Sequence, residues 1–205
     1  MIKNILLDWS GTLVDDLGPV LAATNEIFRE YGKKPLTREE FRHHFRLPFS
    51  GFYAELLPEA TAEGLDELYE RHFAGLQDDV TLLPGAVEFL DFCDQAARRV
   101  FLLSTIQASH FETQASRLGV RDRFERPYVG IMDKREKILE ILATHDLEPA
   151  ETAFVGDMVH DIETARHGGI LGIAVTTGFD PIDKLLGAQP AAIVENLTVL
   201  RQLLG

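Results

Sequence analysis

Four short apolar runs alternate with segments of helical periodicity, and this alternation limits the possible folds more than any other feature of the sequence. The runs cover residues 5–7, 100–103, 153–155 and 172–175. Short, unalternating apolar runs bounded by turn residues are typical of buried parallel strands. Apolar residues spaced three and four apart predict helices over residues 85–96, 109–118, 134–145 and 161–167. The pattern therefore predicts an α/β fold with a doubly wound parallel sheet.

Residues 15–79 interrupt this alternation. Helical periodicity runs over residues 17–31, 37–47 and 62–76, with no convincing strand between them. The sequence "TREE" at 37–40 is a capping box in which Thr37 and Glu40 satisfy each other's backbone amides at a helix start. The sequence "LLPGA" at 82–86 marks the return to the α/β pattern. We expect a helical cap domain over residues 15–79, inserted into an α/β core formed by residues 1–14 and 80–205.

The overall composition favours a small-molecule enzyme over a nucleic-acid or membrane protein. The chain has 205 residues, of which 45% are hydrophobic, and this is enough to bury one sizeable core. Its net charge of −13 repels nucleic acid and anionic lipid surfaces. No apolar run approaches the roughly 20 residues that span a bilayer. A single cysteine, Cys93, and the absence of a signal-peptide pattern predict a cytoplasmic protein. Oligomeric state is left open.

Carboxylates follow two of the predicted strands. Asp8 ends the first apolar run, and the sequence "FVGDMVHD" at 154–161 places Asp157 and Asp161 after another. A buried carboxylate is costly without a partner, and a group of three suits Mg²⁺, which prefers oxygen ligands. An alternative is that Asp157 and Asp161 only cap a helix beginning near Val159. Capping explains one of these residues but not the position of both aspartate groups at strand ends.

Four motifs in order carry a family resemblance. They are "DWSGTLVDD" at 8–16, "FLLST" at 101–105, a lysine at a helix start and "VGDMVHD" at 155–161. Together they resemble the haloacid dehalogenase superfamily, and residues 15–79 resemble the helical C1-type cap of its phosphoglycolate phosphatase-like members. The resemblance implies a Rossmann-like core and a Mg²⁺-dependent phosphatase that acts on a small phosphorylated metabolite.

The resemblance also implies roles for individual side chains. Asp8 matches the nucleophile that forms an aspartyl-phosphate. Ser104 matches the hydroxyl that donates a hydrogen bond to the phosphoryl oxygens. The lysine that offsets charge on the transferred group is Lys134 or Lys137. We favour Lys134, because it follows Asp133 at a helix start and lies at the expected distance along the chain from the last motif.

Metal and substrate contacts follow in the same way. The resemblance implies Mg²⁺ held by Asp8, Asp157 and the backbone carbonyl of Ser10, with Asp161 as a further ligand or as a partner of the metal-bound waters. We also expect substrate contacts from the motif residues Gly11, Thr12 and Thr105. The cationic candidates for reading the rest of an anionic substrate lie in "RHHFR" at 42–46 and are Arg42 and Arg46.

Ser10 departs from the pattern of the family. Its phosphatases usually carry an aspartate two residues after the nucleophile, as the acid toward the leaving group and then the base for water. Residues i and i+2 near a strand end point to the same side, so both reach the phosphate. Serine cannot exchange a proton near neutral pH, and the loss of such a group costs on the order of 10²–10⁴ in rate. Alternatives are a phosphonate-cleaving hydrolase that uses Lys33 or Lys34, and a phosphate-binding protein that turns over slowly or not at all.

Several other groups are candidates for the missing acid. Asp15 and Asp16 follow at the entry to the helical segment, while His43 and His44 lie in "RHHFR". For these histidines we favour a position on the polar face of a helix whose buried side carries Phe41 and Phe45. Further candidates next to motif loops are His110 and His160. Trp9 is expected to pack in the core.

Overall fold

The computed structural model describes all residues, 1–205, and its centre is a parallel sheet of six strands. The sheet order is β5-β4-β1-β6-β7-β8, and a separate antiparallel ribbon joins β2 to β3. The strands are β1 (Asn4–Leu7), β2 (Val14–Asp15), β3 (Thr81–Leu82), β4 (Arg99–Leu103), β5 (Arg126–Tyr128), β6 (Thr152–Gly156), β7 (Leu171–Val175) and β8 (Ala192–Val194).

Helices cover both faces of the sheet and fill the interval between β2 and β3. They are α1 (Leu17–Glu30), α2 (Arg38–His44), α3 (Ser50–Leu56), α4 (Ala62–Phe73), α5 (Ala86–Gln95), α6 (Ala108–Arg117), α7 (Lys134–Thr144), α8 (Val159–His167), α9 (Ile182–Gly187) and α10 (Leu197–Leu204). None of them combines the length and the apolarity needed to cross a membrane.

Alternate side chains of β1 enter two different cores. Ile5 and Leu7 pack in the cluster that contains apolar residues of α5, α6 and α10, whereas Leu6 packs with Ile138 and Ile141 of α7. Successive strand residues point to opposite faces, so a strand that is apolar throughout needs helices on both sides. The predicted doubly wound α/β sheet is therefore confirmed.

The four predicted strands all occur in the six-stranded sheet, and its two unpredicted strands, β5 and β8, lie at its edges. The β2–β3 ribbon was not predicted either. β5 contains Pro127, which removes a backbone donor and lowers the strand signal. Such a residue is tolerated because an edge strand has a partner on one side only. β8 follows Pro190 and has three residues. Both strands are too short for periodicity to identify.

The helical segment has its own apolar cluster. Helices α1 to α4 bury Ile27, Phe41, Phe52 and other residues together, and Met158 from the loop after β6 joins them. The chain leaves the sheet through β2 and returns through β3, and these strands pair side by side. The ribbon pairs residues 14 and 15 with residues 82 and 81, near the ends of the cap that is expected over residues 15–79.

The structure differs from the predicted helices in two ways, one helix being shorter and three others unpredicted. The helix expected over 37–47 ends at His44, because the chain continues into Leu47-Pro48 and a proline disfavours helical backbone in the residue before it. The short α3, together with α9 and α10 near the C-terminus, was not predicted. The capping box is confirmed, since the Thr37 hydroxyl accepts from the Glu40 amide and the Glu40 carboxylate accepts from the Thr37 amide.

Candidate active site

Three carboxylates meet where β1 and β6 end. Asp8 follows β1, Asp157 follows β6 and Asp161 lies in the first turn of α8. Because β1 and β6 are hydrogen-bonded neighbours, the residues that follow them emerge side by side. One oxygen of each side chain lies within 4.8 Å of the others, and all three side chains are buried. The structure therefore brings together the three acidic residues singled out in the sequence.

Glycines provide the space for these carboxylates. A Cβ atom at Gly156 would overlap the Asp161 carboxylate, and one at Gly11 or Gly178 would overlap that of Asp157. Gly11 also has a φ of +68°, in the left-handed region that favours glycine. The backbone of Gly11 thus lies directly against the Asp157 carboxylate.

Lys134 is the lysine that reaches the carboxylates. Its Nζ lies 2.9 Å from Asp8 Oδ2 and 2.7 Å from Asp161 Oδ1, and its side chain is completely buried. Burial alone would lower the pKa of Lys134, but the charges of Asp161 and Asp8 raise it above its usual value. Lys137 instead pairs with Glu140 at the surface of α7. Of the two candidates, the structure places only Lys134 at the site.

The site holds more negative than positive charge. Burial raises the pKa of Asp8, although Lys134 opposes this shift. Burial and the charges of Asp8 and Asp161 raise the pKa of Asp157 well above its usual range. Asp157 accepts hydrogen bonds from the Phe179 amide at 2.6 Å and the Thr12 hydroxyl at 3.2 Å, but no cationic side chain pairs with it. Three buried carboxylates with only one ammonium among them offer oxygen ligands and excess negative charge, and this fits a divalent cation such as Mg²⁺.

Ser10 has a carboxylic acid beside it. The Asp16 side chain is buried, and burial raises its pKa to about 7, while a hydrogen bond from the Ser10 hydroxyl opposes the shift. Oδ1 of Asp16 has no hydrogen-bond partner. Asp8, Ser10 and Asp16 all line one cavity, whereas Asp15 is exposed.

This cavity contains about 980 Å³ of empty space, including its open mouth, and lies between the sheet edge and the helical segment. Eleven of its 20 lining residues are hydrophobic. Most of these belong to the helical segment and to the loops after β6 and β7. Of the five residues predicted to contact substrate, Thr105 alone lines the cavity.

The other predicted substrate residues face different partners. Arg42 donates to the backbone carbonyls of Phe179 and Asp180, at 3.1 and 3.0 Å. Arg46 is exposed and pairs with Glu55 at 2.7 Å. The hydroxyl of Thr12 binds Asp157, as described above.

Ser104 is buried at the end of β4, and its Oγ accepts a hydrogen bond from the Ile106 amide at 3.3 Å. The next two residues, Thr105 and Ile106, line the cavity. Trp9 packs in the core as expected, and its indole donates to Gln114 at 2.8 Å.

The four candidate histidines lie in different environments. His110 lines the cavity, and its Nε2 lies 3.1 Å from Glu70 Oε2. His160 is buried and accepts from the Lys134 amide at 3.1 Å. Burial and the charge of Lys134 lower the pKa of His160 to about 4, so it is neutral at pH 7. His43 is exposed and His44 pairs with Glu55 at the surface.

The loop after β7 was missed by the sequence analysis. Its residues "TTGFD" at 176–180 supply Gly178 and the Phe179 amide to Asp157. Asp180 is buried and accepts from the Val159 amide at 2.7 Å, which holds the start of α8 in place. The available signal was a glycine and an aspartate within five residues after the predicted strand 172–175.

Comparisons with known proteins agree with this architecture. A sequence model described as haloacid dehalogenase-like hydrolase matches residues 5–175. A phosphoglycolate phosphatase from Synechococcus elongatus is 28% identical over 205 residues, which cover 98% of this chain and 96% of that protein. Another phosphoglycolate phosphatase, from Chromobacterium violaceum, is 27% identical over 192 residues, which cover 87% of this chain and 86% of that protein.

Among solved structures, a haloacid dehalogenase-like family hydrolase from Streptococcus pneumoniae superimposes with a TM-score of 0.85 at 24% identity. The alignment covers 100% of this chain and 99% of that one, so the two chains share the whole fold. The family match spans most of the chain and contains Asp8, Asp157 and Asp161. The chain belongs to the haloacid dehalogenase-like hydrolases.

Proposed function

We propose that the protein is a Mg²⁺-dependent phosphatase that hydrolyses a small phosphorylated metabolite through an aspartyl-phosphate on Asp8. The observation that carries this proposal is the buried Asp8, paired with Lys134 at 2.9 Å and clustered with two further carboxylates. The names of the relatives, phosphoglycolate phosphatases, support the same reaction type.

In the proposed reaction an oxygen of Asp8 attacks phosphorus, and the bond from phosphorus to the alcohol oxygen breaks. Water then attacks the aspartyl-phosphate, which releases inorganic phosphate and restores the Asp8 carboxylate. The Trp9 amide, 2.7 Å from Asp8 Oδ1, holds the carboxylate in orientation. Lys134 offsets the negative charge that collects on the transferred group.

The ligands proposed for Mg²⁺ are the side chains of Asp8, Asp157 and Asp161 and the backbone carbonyl of Ser10. When bound, Mg²⁺ supplies positive charge that offsets the repulsion between an anionic nucleophile and an anionic phosphate. Thr12 and Phe179 keep Asp157 oriented through their hydrogen bonds. Asp161 is held in the same way by Lys134 and by the Met158 amide.

Residues 15–79 are proposed to act as a cap that closes over the site, excludes water and selects substrate, with residues 1–14 and 80–205 as the core. The cavity between the two parts supports this division. We further propose that the protein acts in the cytoplasm.

The experiment that tests the function compares the protein with Asp8→Asn and Ser10→Asp in the presence of MgCl₂. Phosphate release is measured from p-nitrophenyl phosphate, whose leaving group needs little acid assistance, and from an alkyl phosphate, whose leaving group needs more. We expect the unaltered protein to be active and Asp8→Asn to be inactive on both. Asp15→Asn, an exposed carboxylate outside the cavity, is the matched control and is expected to keep full activity.

The Ser10→Asp variant separates the two proposed modes of action. If it adds little on the alkyl phosphate, another group in the cavity already supplies the proton. If turnover requires it, with a gain on the order of 10²–10⁴, the serine has disabled acid-base transfer, and the protein binds phosphate or accumulates the phosphoenzyme. Activity of Asp8→Asn equal to that of the unaltered protein would contradict the nucleophile assignment.

A further inference from the structure

The cavity beside Asp8 has two unlike parts. The part next to Asp8, where phosphate is proposed to bind, is formed by buried acidic residues at the sheet edge, while the remaining wall is mainly aromatic and aliphatic. Phe45, Phe49 and Tyr53 come from the helical segment, and Phe179 comes from the loop after β7. A wall of this kind favours an apolar group, because aromatic side chains gain free energy chiefly by removing apolar surface from water.

The lining contains no lysine or arginine. Its acidic side chains other than Asp8 are the buried Asp16 and the exposed Asp66. The one basic side chain is His110, and Glu70 lies against its Nε2. A second anionic group on the substrate would therefore enter a site with negative charge and without a free cation.

Nearby cations are committed to other contacts. Arg42 donates to two backbone carbonyls of the loop after β7. Lys184 donates from α9 to the carbonyls of Arg42 and Phe45, and also pairs with Asp180 at 3.1 Å. These side chains hold α2 against the loop after β7, and none of them lines the cavity.

We infer that the substrate is a phosphate monoester whose alcohol part is apolar or aromatic and carries no second anionic group. The inference rests on the proposed phosphatase activity at Asp8. It separates this chain from the substrate named for its relatives, since phosphoglycolate carries a carboxylate as well as the phosphate.

Binding tests the inference independently of turnover. The probes are phenylphosphonate and 4-carboxyphenylphosphonate, which cannot be hydrolysed and differ by one carboxylate. Calorimetric titration in MgCl₂ is expected to give a dissociation constant at least about tenfold lower for phenylphosphonate, because the carboxylate must approach like charge. Equal affinities, tighter binding of the carboxylate probe, or no binding of either would overturn the inference.

Turnover of the matched esters, phenyl phosphate and 4-carboxyphenyl phosphate, tests the same preference in the reaction. The carboxylate makes the phenol a slightly better leaving group, so a lower kcat/KM for that ester reports recognition and not chemistry. We expect phenyl phosphate to be preferred at least about tenfold, and 2-phosphoglycolate to be a poor substrate.

The two proposals fail in distinguishable ways. Selective binding of phenylphosphonate without hydrolysis of either ester would overturn the phosphatase activity and leave the selectivity standing. Hydrolysis of both esters with equal kcat/KM would leave the activity standing and overturn the substrate class.

A variant at the cavity mouth provides a second test. Asp66→Lys changes an exposed residue and is expected to reduce the preference for phenyl phosphate about two- to fivefold, the size expected of a solvent-exposed charge. Asp79→Lys makes the same charge change on an exposed residue outside the lining and is expected to leave the preference unchanged. Equal effects of the two variants would contradict a local role for Asp66.

Discussion

The two parts of the cavity are built by different physical means. At the sheet edge, Asp8, Lys134 and Asp161 are fixed by short ion pairs and by backbone amides. In the helical segment, aromatic rings pack on one another, with centroids 4.8 Å apart between Phe41 and Phe45. Hydrogen bonds and charges fix atoms to within a fraction of an ångström, whereas apolar packing fixes a volume. In the proposed function, the chemistry therefore depends on the sheet edge, and the size and polarity of the substrate depend on the helices.

The two parts also meet at a defined contact. Phe45 and Phe179 have ring centroids 5.4 Å apart, and the Phe179 amide donates to Asp157. One residue of the loop after β7 thus packs against the helical segment with its side chain and orients a proposed metal ligand with its backbone. We expect that movement of the helical segment shifts Phe179 and thereby changes the orientation of the Asp157 carboxylate.

The largest expected effect on stability comes from removing the cation at the sheet edge. Lys134→Met leaves Asp8 and Asp161 buried without their partner, and breaking a buried pair costs about 3–5 kcal/mol of unfolding free energy. Lys137→Met removes a surface pair and is expected to cost less than about 1 kcal/mol. Urea unfolding in EDTA measures both. Similar losses for the two lysines would show that the buried charges do not depend on Lys134.

A smaller effect depends on pH. Asp16 has a folded-state pKa of about 7 against an ordinary value of 3.8, so between these pH values the folded protein keeps a proton that the unfolded chain has lost. The free energy of unfolding therefore falls as pH rises from about 4 to about 7 and stays low above that. In EDTA, Asp16→Asn should stabilise the protein more at pH 8 than at pH 5, by about 2–3 kcal/mol.

The control for this change is Asp15→Asn, because Asp15 is exposed beside it. Its unfolding free energy is expected to follow that of the unaltered protein at both pH values. A gain from Asp16→Asn that is the same at pH 5 and pH 8 would mean that the effect is one of packing and not of charge burial.

The smallest effect concerns the helical segment. Thr37→Ala removes the side-chain cap of α2 and is expected to cost about 1 kcal/mol of unfolding free energy. Ser109→Ala changes an exposed residue whose side chain makes no hydrogen bond and is expected to stay within about 0.5 kcal/mol of the unaltered protein. Thermal unfolding compares the two. A cost at Thr37 no greater than at Ser109 would show that α2 is held by its aromatic side alone.

Part of the site could be predicted from local sequence. Asp8 and Asp157 each follow an apolar run that predicts a buried strand. Parallel strands have their carboxyl ends at the same edge of the sheet. The Thr37–Glu40 capping box involves residues three positions apart, so it could also be identified directly. The sequence was sufficient in these cases because each feature depends on local periodicity or on residues a few positions apart.

Other features depend on contacts between distant parts of the chain. Arg42 is a cation on a helix of the predicted cap, and its sequence position suggested substrate binding. The structure pairs it with carbonyls 137 and 138 residues away. Sequence patterns do not state which of several possible partners a long side chain reaches.

The sequence by itself determined the parallel α/β sheet, the helical interval and the strand-end positions of Asp8 and Asp157, because these follow from local periodicity and turn residues. The sequence favoured Lys134 over Lys137, and the tertiary structure shows Lys134 beside Asp8. Tertiary structure alone decided that the Phe179 amide donates to Asp157. It also decided that the cavity wall holds no free cation. These outcomes arise when packing brings separate loops together, since burial favours arrangements in which most charges and polar groups find a partner.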